Sequence, residues 1–339
     1  MKKNKRKRVY TGVETGVNYV THIYTLAEAG FKDENYISQY EETISKEDIK
    51  YLRAHSDYMS FVRREHGLFA GQLYFIPSYF NMKTKKDYED YFHAWDQAIK
   101  QKSALPVEKY RCYNYDYREM FKAGKERWDK ILEITPVFNR IGEIYINNID
   151  NYCNNIWPEI KPVLLKKSRE LNKKIEDDLI KKWERVTGSG FKKDEYYLVL
   201  FYAGANGPSF NNLSLDKNTA FYDYDEGYML DMLSHELGVH ILLPDLKKSI
   251  SKYEREIPRI DDPDIYGNVS YMAFESLASF YNMKVLNRDT RDIDSFIDFK
   301  KFFNIYSKLY QLNKEPLRLY NDGIKEYINE KTGSEADEV

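Results

Sequence analysis

Between Asp231 and His240 the chain reads Asp-Met-Leu-Ser-His-Glu-Leu-Gly-Val-His, two imidazoles and a carboxylate inside one helix-forming run. A neutral imidazole is a common metal-binding side chain, and a carboxylate beside it can deprotonate metal-bound water. The spacing restricts how this segment can fold. At about 100° per residue, helix positions four apart lie ~40° apart around the axis, and positions five apart lie ~140° apart. His235 and His240 are five apart, so a shared ion demands a distorted turn. A single π-turn absorbs one extra residue. Gly238 lies within the interval, and Pro244 lacks the N–H that would bond the His240 carbonyl. The expectation is a helix from about Gly227 to Leu243, bulged around Gly238.

Catalytic zinc takes three protein ligands and keeps one position open. The best third donor is Glu275, in Tyr271-Met-Ala-Phe-Glu-Ser-Leu-Ala-Ser-Phe280. There a carboxylate stands among apolar residues, where an unpaired charge is costly. Small Ser276, Ala278 and Ser279 would let this helix approach the first closely. Taken alone, Glu275 reads as a salt-bridged helix residue, with Arg255 or Arg259 as partner, and becomes a ligand only with the histidine pair. Asp231, four residues before His235, could orient that histidine or simply favour a helix N-terminus. His22, His55, His66 and His93 show no ligand spacing and read as structural.

These residues resemble the gluzincin class of zinc metallopeptidases. His-Glu-x-x-x-His with a helical Glu about 35 positions on is similar to dipeptidyl peptidase III and the tyrosine carboxypeptidase-like group. Glu275-Ser276-Leu277-Ala278 is similar to the Glu-x-x-Ala helix of several gluzincins. The resemblance covers about Tyr196 to Phe280. It implies zinc held by His235, His240 and Glu275, with Glu236 as general base. It also implies that an extended peptide adds to the strand near Asn218 to Tyr224. The Arg that often follows the second His in the tyrosine carboxypeptidase group is absent, so exopeptidase specificity does not transfer. A developing oxyanion needs a donor, and no histidine follows His240. Tyr266 stands shortly before the Glu275 helix, as a catalytic Tyr does in lethal-factor-like gluzincins. Tyr271, Arg255 and Arg259 are weaker candidates.

The fold class expected is mainly α with a small β-sheet. Helical periodicity fills the chain from Ser45, a capping residue followed by Glu47 and Asp48, through runs at Tyr88–Lys102, Glu119–Glu133 and Pro136–Asn151. Gly67 to Pro77 is apolar and undecided between strand and helix. A long amphipathic helix starts at Trp157-Pro158 and reaches Trp183. Thr187-Gly188-Ser189-Gly190 breaks it. Tyr196–Tyr202 and Asn218–Tyr224 read as strands, and helices follow at Val269–Leu286, Ile293–Leu309 and Pro316–Asn329. The organisation expected is a helical region over 1–190, a zincin-like unit over 191–330 and a polar tail over 331–339.

Fifty-two basic against 54 acidic residues leave a formal charge of −2, so charge gives no case for nucleic acid or an anionic membrane. The basic start, Met1 to Arg8, has no apolar segment after it and reads as a solvated terminus. No run reaches membrane-spanning length. Two cysteines, Cys112 and Cys153, are compatible with a reducing compartment, which makes the cytoplasm the default location. The expectation is a zinc-dependent peptidase acting on a peptide or protein substrate. Its alternatives are a non-enzymatic helical interaction protein with an accidental or degenerate motif, and a non-peptidase metal enzyme using Asp231 and His235.

Overall fold

The computed structural model describes residues 7–60, 69–112, 117–205, 210–257, 268–288, 297–310 and 315–336. The protein is mainly α with a small mixed sheet, as expected. Contacts divide it into two compact units. Tyr10–Lys174 with Tyr197–Tyr224 form one; Ile175–Tyr196 and Asp225–Val339, with the first nine residues, form the other. This division differs from a boundary at residue 190, because most of the sheet lies in the first unit.

The first unit holds α1 (Thr15–Leu26), α2 (Glu34–Tyr40), α3 (Lys46–Ala54), α4 (Ser56–Met59), α5 (Ile76–Tyr79), α6 (Lys85–Lys100), α7 (Arg118–Phe121), α8 (Lys125–Asn151) and α9 (Trp157–Asn172). Ser45 caps α3 as read, its side chain accepting from the Asp48 N–H. The undecided apolar stretch is helical where described, a π-turn at Gly71–Phe75 leading into α5. Tyrosines satisfy it: the Tyr91 and Tyr145 hydroxyls donate to the Gln72 and Leu73 carbonyls at 2.6 and 3.1 Å. A buried phenol brings a large apolar ring and its own donor, which gives the tyrosine-rich composition a packing role here.

The strands are β1 (Arg8–Val13), β2 (Glu195–Phe201), β3 (Phe210–Ser214) and β4 (Lys217–Phe221), in the order β1-β2-β4-β3. β4 runs parallel to β2 and antiparallel to β3. The strand expected to receive a peptide is therefore interior and already paired on both sides. The outer edge of β1 is also engaged at Thr11, whose N–H and carbonyl both bond the Asn172 side chain of α9, at 2.8 and 2.9 Å. The basic start departs from the expected solvated arm from Lys7 onward: its Nζ donates to Glu184 Oε1 and the Phe191 carbonyl, both at 2.6 Å, and β1 begins at Arg8.

Buried Asn18 ties α1 to the end of β2, donating to the Leu200 carbonyl and accepting from the Tyr202 N–H, both at 3.0 Å. One turn further along, His22 is buried with Nδ1 2.8 Å from the Tyr36 hydroxyl. Burial pushes its pKa down from 6.5 to about 3. Its neutral form therefore stabilises the fold above pH ~6.5, and that contribution fades as pH falls from there toward about 3. His22→Gln is expected to show a shallower loss of thermal stability across that interval than the parent, as followed by circular dichroism. Equal slopes would contradict the assignment.

The second unit holds α10 (Leu179–Thr187), α11 (Glu226–Glu256), α12 (Val269–Val285), α13 (Ile297–Leu309) and α14 (Pro316–Ala336). The single long helix expected from Trp157 to Trp183 is instead two, α9 and α10, separated between Asn172 and Leu179. Gly188 ends α10 at φ 73°, a left-handed cap that glycine adopts freely.

Candidate functional site

Asp225 starts α11, its side chain accepting from the Tyr228 N–H at 3.1 Å. From there the helix is α-helical without interruption for 31 residues, through Gly238 and Pro244. The expected bulge is not there. The described π-turns lie instead at Gly71–Phe75 and Tyr152–Ile156. Gly238 has a different reason. A Cβ at that position would overlap the Trp183 ring of α10. The indole N–H of Trp183 donates to Ser234 Oγ at 3.0 Å. Ser234 and Gly238 stand one turn apart and form the notch that receives the ring.

α12 begins at Asn268, whose side chain accepts from the Tyr271 N–H at 2.7 Å, and packs along α11. Small Ser276 and Ala278 are fully buried. Across this contact His235 Nε2 lies 3.1 Å from Glu275 Oε2, with side-chain exposures of 12% and 16%. Ser279 Oγ lies 3.4 Å from the other ring nitrogen of His235. Burial works against the charged imidazole. The hydrogen bond and charge of Glu275, with Glu236 and Asp231 adding, outweigh it and hold the pKa above 6.5. The result is a His–Glu hydrogen bond at the seam of two helices.

One turn earlier, Asp231 accepts from Asn282 Nδ2 at 3.0 Å and pairs with Arg288 at 3.0 Å. It serves that arm of the seam and has no hydrogen bond to His235 among those resolved. Arg255 bonds back to the Ser251 carbonyl of its own helix, so the carboxylate of Glu275 is met by His235 instead. Tyr271, at the start of α12, is 48% exposed. Tyr266 and Arg259 lie outside the described residues, as does His66.

His240 does not join the pair. It is 3% exposed, and its ring centroid lies 5.7 Å from that of Tyr196. In an unbroken α-helix it stands ~140° around the axis from His235. Among the described residues no three His, Cys, Asp or Glu side chains form a group able to hold a metal. Among the described residues this arrangement offers zinc two ligands, His235 and Glu275, and no third, and no hydrolytic step is derived through the ion.

The structure brings His235 and Glu275 together and leaves His240 apart; Ser279, read only as a small residue that admits a close approach, joins them, and Asn282 and Arg288 were not singled out. Ser279 and Asn282 were legible as a stripe with Glu275, at four and seven residues on. Comparison with protein-family models, curated proteins and solved structures finds no match. Among the described residues no helix is long and apolar enough to cross a membrane.

Proposed function

We propose that this chain is a non-enzymatic helical interaction protein in which the peptidase-like motif serves as an inter-helix clamp. The observation that carries this reading is the unbroken course of α11, which sends His240 to Tyr196 and leaves the His235–Glu275 pair holding α11 to α12. Neither Cys112 nor Cys153 is in a disulfide, in keeping with a cytoplasmic setting. A nearly buried polar pair specifies how two helices meet while adding little net stability, because desolvation offsets attraction. Removing one partner is costly, since the other stays buried without its hydrogen bond.

A second reading, a zinc-dependent peptidase, is favoured by the meeting of His235 with Glu275 across 40 residues of chain. It assigns His235, His240 and Glu275 as ligands and Glu236 as general base. It requires a wider turn between the histidines and a new seat for Trp183.

Chelation separates the two. A ligand that binds only the folded state raises its stability by mass action. Under the clamp reading, excess EDTA leaves the unfolding midpoint of the purified protein unchanged, and Glu275→Ala lowers it equally with or without chelator. A midpoint that drops on chelation and returns on adding zinc would support the peptidase reading instead.

A further inference from the structure

In the first unit, α9 and its C-cap turn a basic stripe outward. Lys166, Arg169 and Lys173 are exposed and stand three and four residues apart. At helical spacing they fall within ~60° around the axis and ~10 Å along it. With Glu170 and Asn172 they line an open depression of about 430 Å³. Leu165 and Val163, both exposed, border the stripe on either side. Arg169 Nε donates to the Leu165 carbonyl at 3.1 Å, which holds the guanidinium against the helix. Among the described residues the three cations form no ion pair, although Glu170 stands four after Lys166 and three before Lys173. Elsewhere in the unit Lys86, Lys100 and Arg140 each pair with an acid of their own helix. The chain's formal charge of −2 conceals this local excess.

We propose that this face docks an acidic amphipathic helix of a partner protein. Carboxylates three and four residues apart meet Lys166, Arg169 and Lys173, and apolar side chains between them cover Leu165 and Val163. The inference rests on the interaction-protein reading and supplies the chemistry of the partner. Helix recognition of this kind uses anchors at three- and four-residue spacing laid into a groove. Cations that hold no internal carboxylate break no pair on meeting one. The two bordering apolar side chains favour a protein over a small anion, which would leave them in water. Glu170 lies within the same face and repels the continuous phosphates of a bilayer or a nucleic acid. A peptide avoids that repulsion by placing an uncharged residue opposite it.

The test follows a fluorescein-labelled, helix-forming peptide of Glu and Leu at those spacings by anisotropy as the full chain is added, beside a counterpart with Gln for Glu. The Glu peptide is expected to bind, and to weaken as salt is raised. Combined Lys166→Glu, Arg169→Glu and Lys173→Glu should weaken it ~10-fold or more, three exposed charge pairs being lost and three repulsions gained. Reversing the exposed Lys50, Lys125 and Lys130 instead changes net charge equally and should leave the affinity within about twofold, those charges being screened at a distance. Glu170→Gln should tighten binding. Equal loss in the two triple variants, equal binding of the Gln peptide, or no binding of the Glu peptide overturns the docking surface. So does binding to phosphatidylserine vesicles in place of the peptide, which would make the face a membrane contact. If the peptide fails while EDTA leaves the unfolding midpoint unchanged, the docking surface falls and the clamp reading stands. A midpoint that drops on chelation, with peptide binding intact, removes the clamp reading and keeps the surface.

Discussion

Replacing Trp183 with alanine is expected to lower the unfolding free energy of its unit by about 3–5 kcal/mol, the usual cost of emptying a large buried aromatic site. The ring is fully buried, its N–H is committed to Ser234, and its six-membered ring fills the space beside Gly238. Gly238→Ala tests the same contact from the other side. In an open helix alanine is favoured over glycine by about 1 kcal/mol. Here the added methyl must displace the indole, and overpacking of this kind typically costs ~1–3 kcal/mol. The single substitution is therefore expected to destabilise. With Trp183→Ala already present the clash is gone, and Gly238→Ala should become stabilising. Urea unfolding of the four proteins measures the coupling. Additive effects would mean that the indole does not hold α11 at Gly238.

The second large effect is expected in the other unit. Glu14 and Lys217 form a nearly buried ion pair, with Lys217 Nζ donating to Glu14 Oε2 at 2.6 Å and to the Ser78 and Tyr79 carbonyls at 3.2 and 3.0 Å. Burial raises the carboxyl pKa and lowers that of the ammonium, in each case against the pull of the partner. Desolvation thus dominates both groups. Glu14→Ala leaves a buried ammonium with two carbonyls, the Tyr79 ring and the more distant charge of Asp216, and a loss of about 3–5 kcal/mol is expected. Glu14→Leu with Lys217→Met removes both charges and should recover most of it, because a well-packed apolar pair can match a buried ion pair. A double variant no more stable than Glu14→Ala would show that the carbonyl bonds of Lys217, rather than charge desolvation, dominate.

Local chemistry was legible in the sequence and long-range chemistry much less so. The Ser45 cap, the Pro158 start, the aromatic and β-branched strand from Tyr196 and the break at Gly188 each rest on neighbouring residues, and each is present. That Glu275 needs a partner followed from one constraint, that a carboxylate in an apolar helix is costly unpaired; the partner expected was zinc or an arginine, and the one found is His235. The shape of α11 did not follow. Gly238 has two physical uses, easing a wide turn or admitting a neighbour, and the neighbour stands 55 positions upstream at Trp183. Likewise Phe210-Asn-Asn-Leu-Ser214 carries weak strand chemistry. Without β3, β4 reads as an edge; with it, β4 is interior.

The register of α11 decides between clamp and catalytic centre, and zinc affinity of the unmodified chain reads it most directly. The protein, stripped of metal and titrated with Zn²⁺ against a chromophoric chelator, is expected to show no stoichiometric tight site, with His240→Ala indistinguishable from the parent. One tightly held zinc per chain, lost on changing His235, His240 or Glu275 and kept in Glu236→Gln, would contradict the account and establish the metal centre in its place.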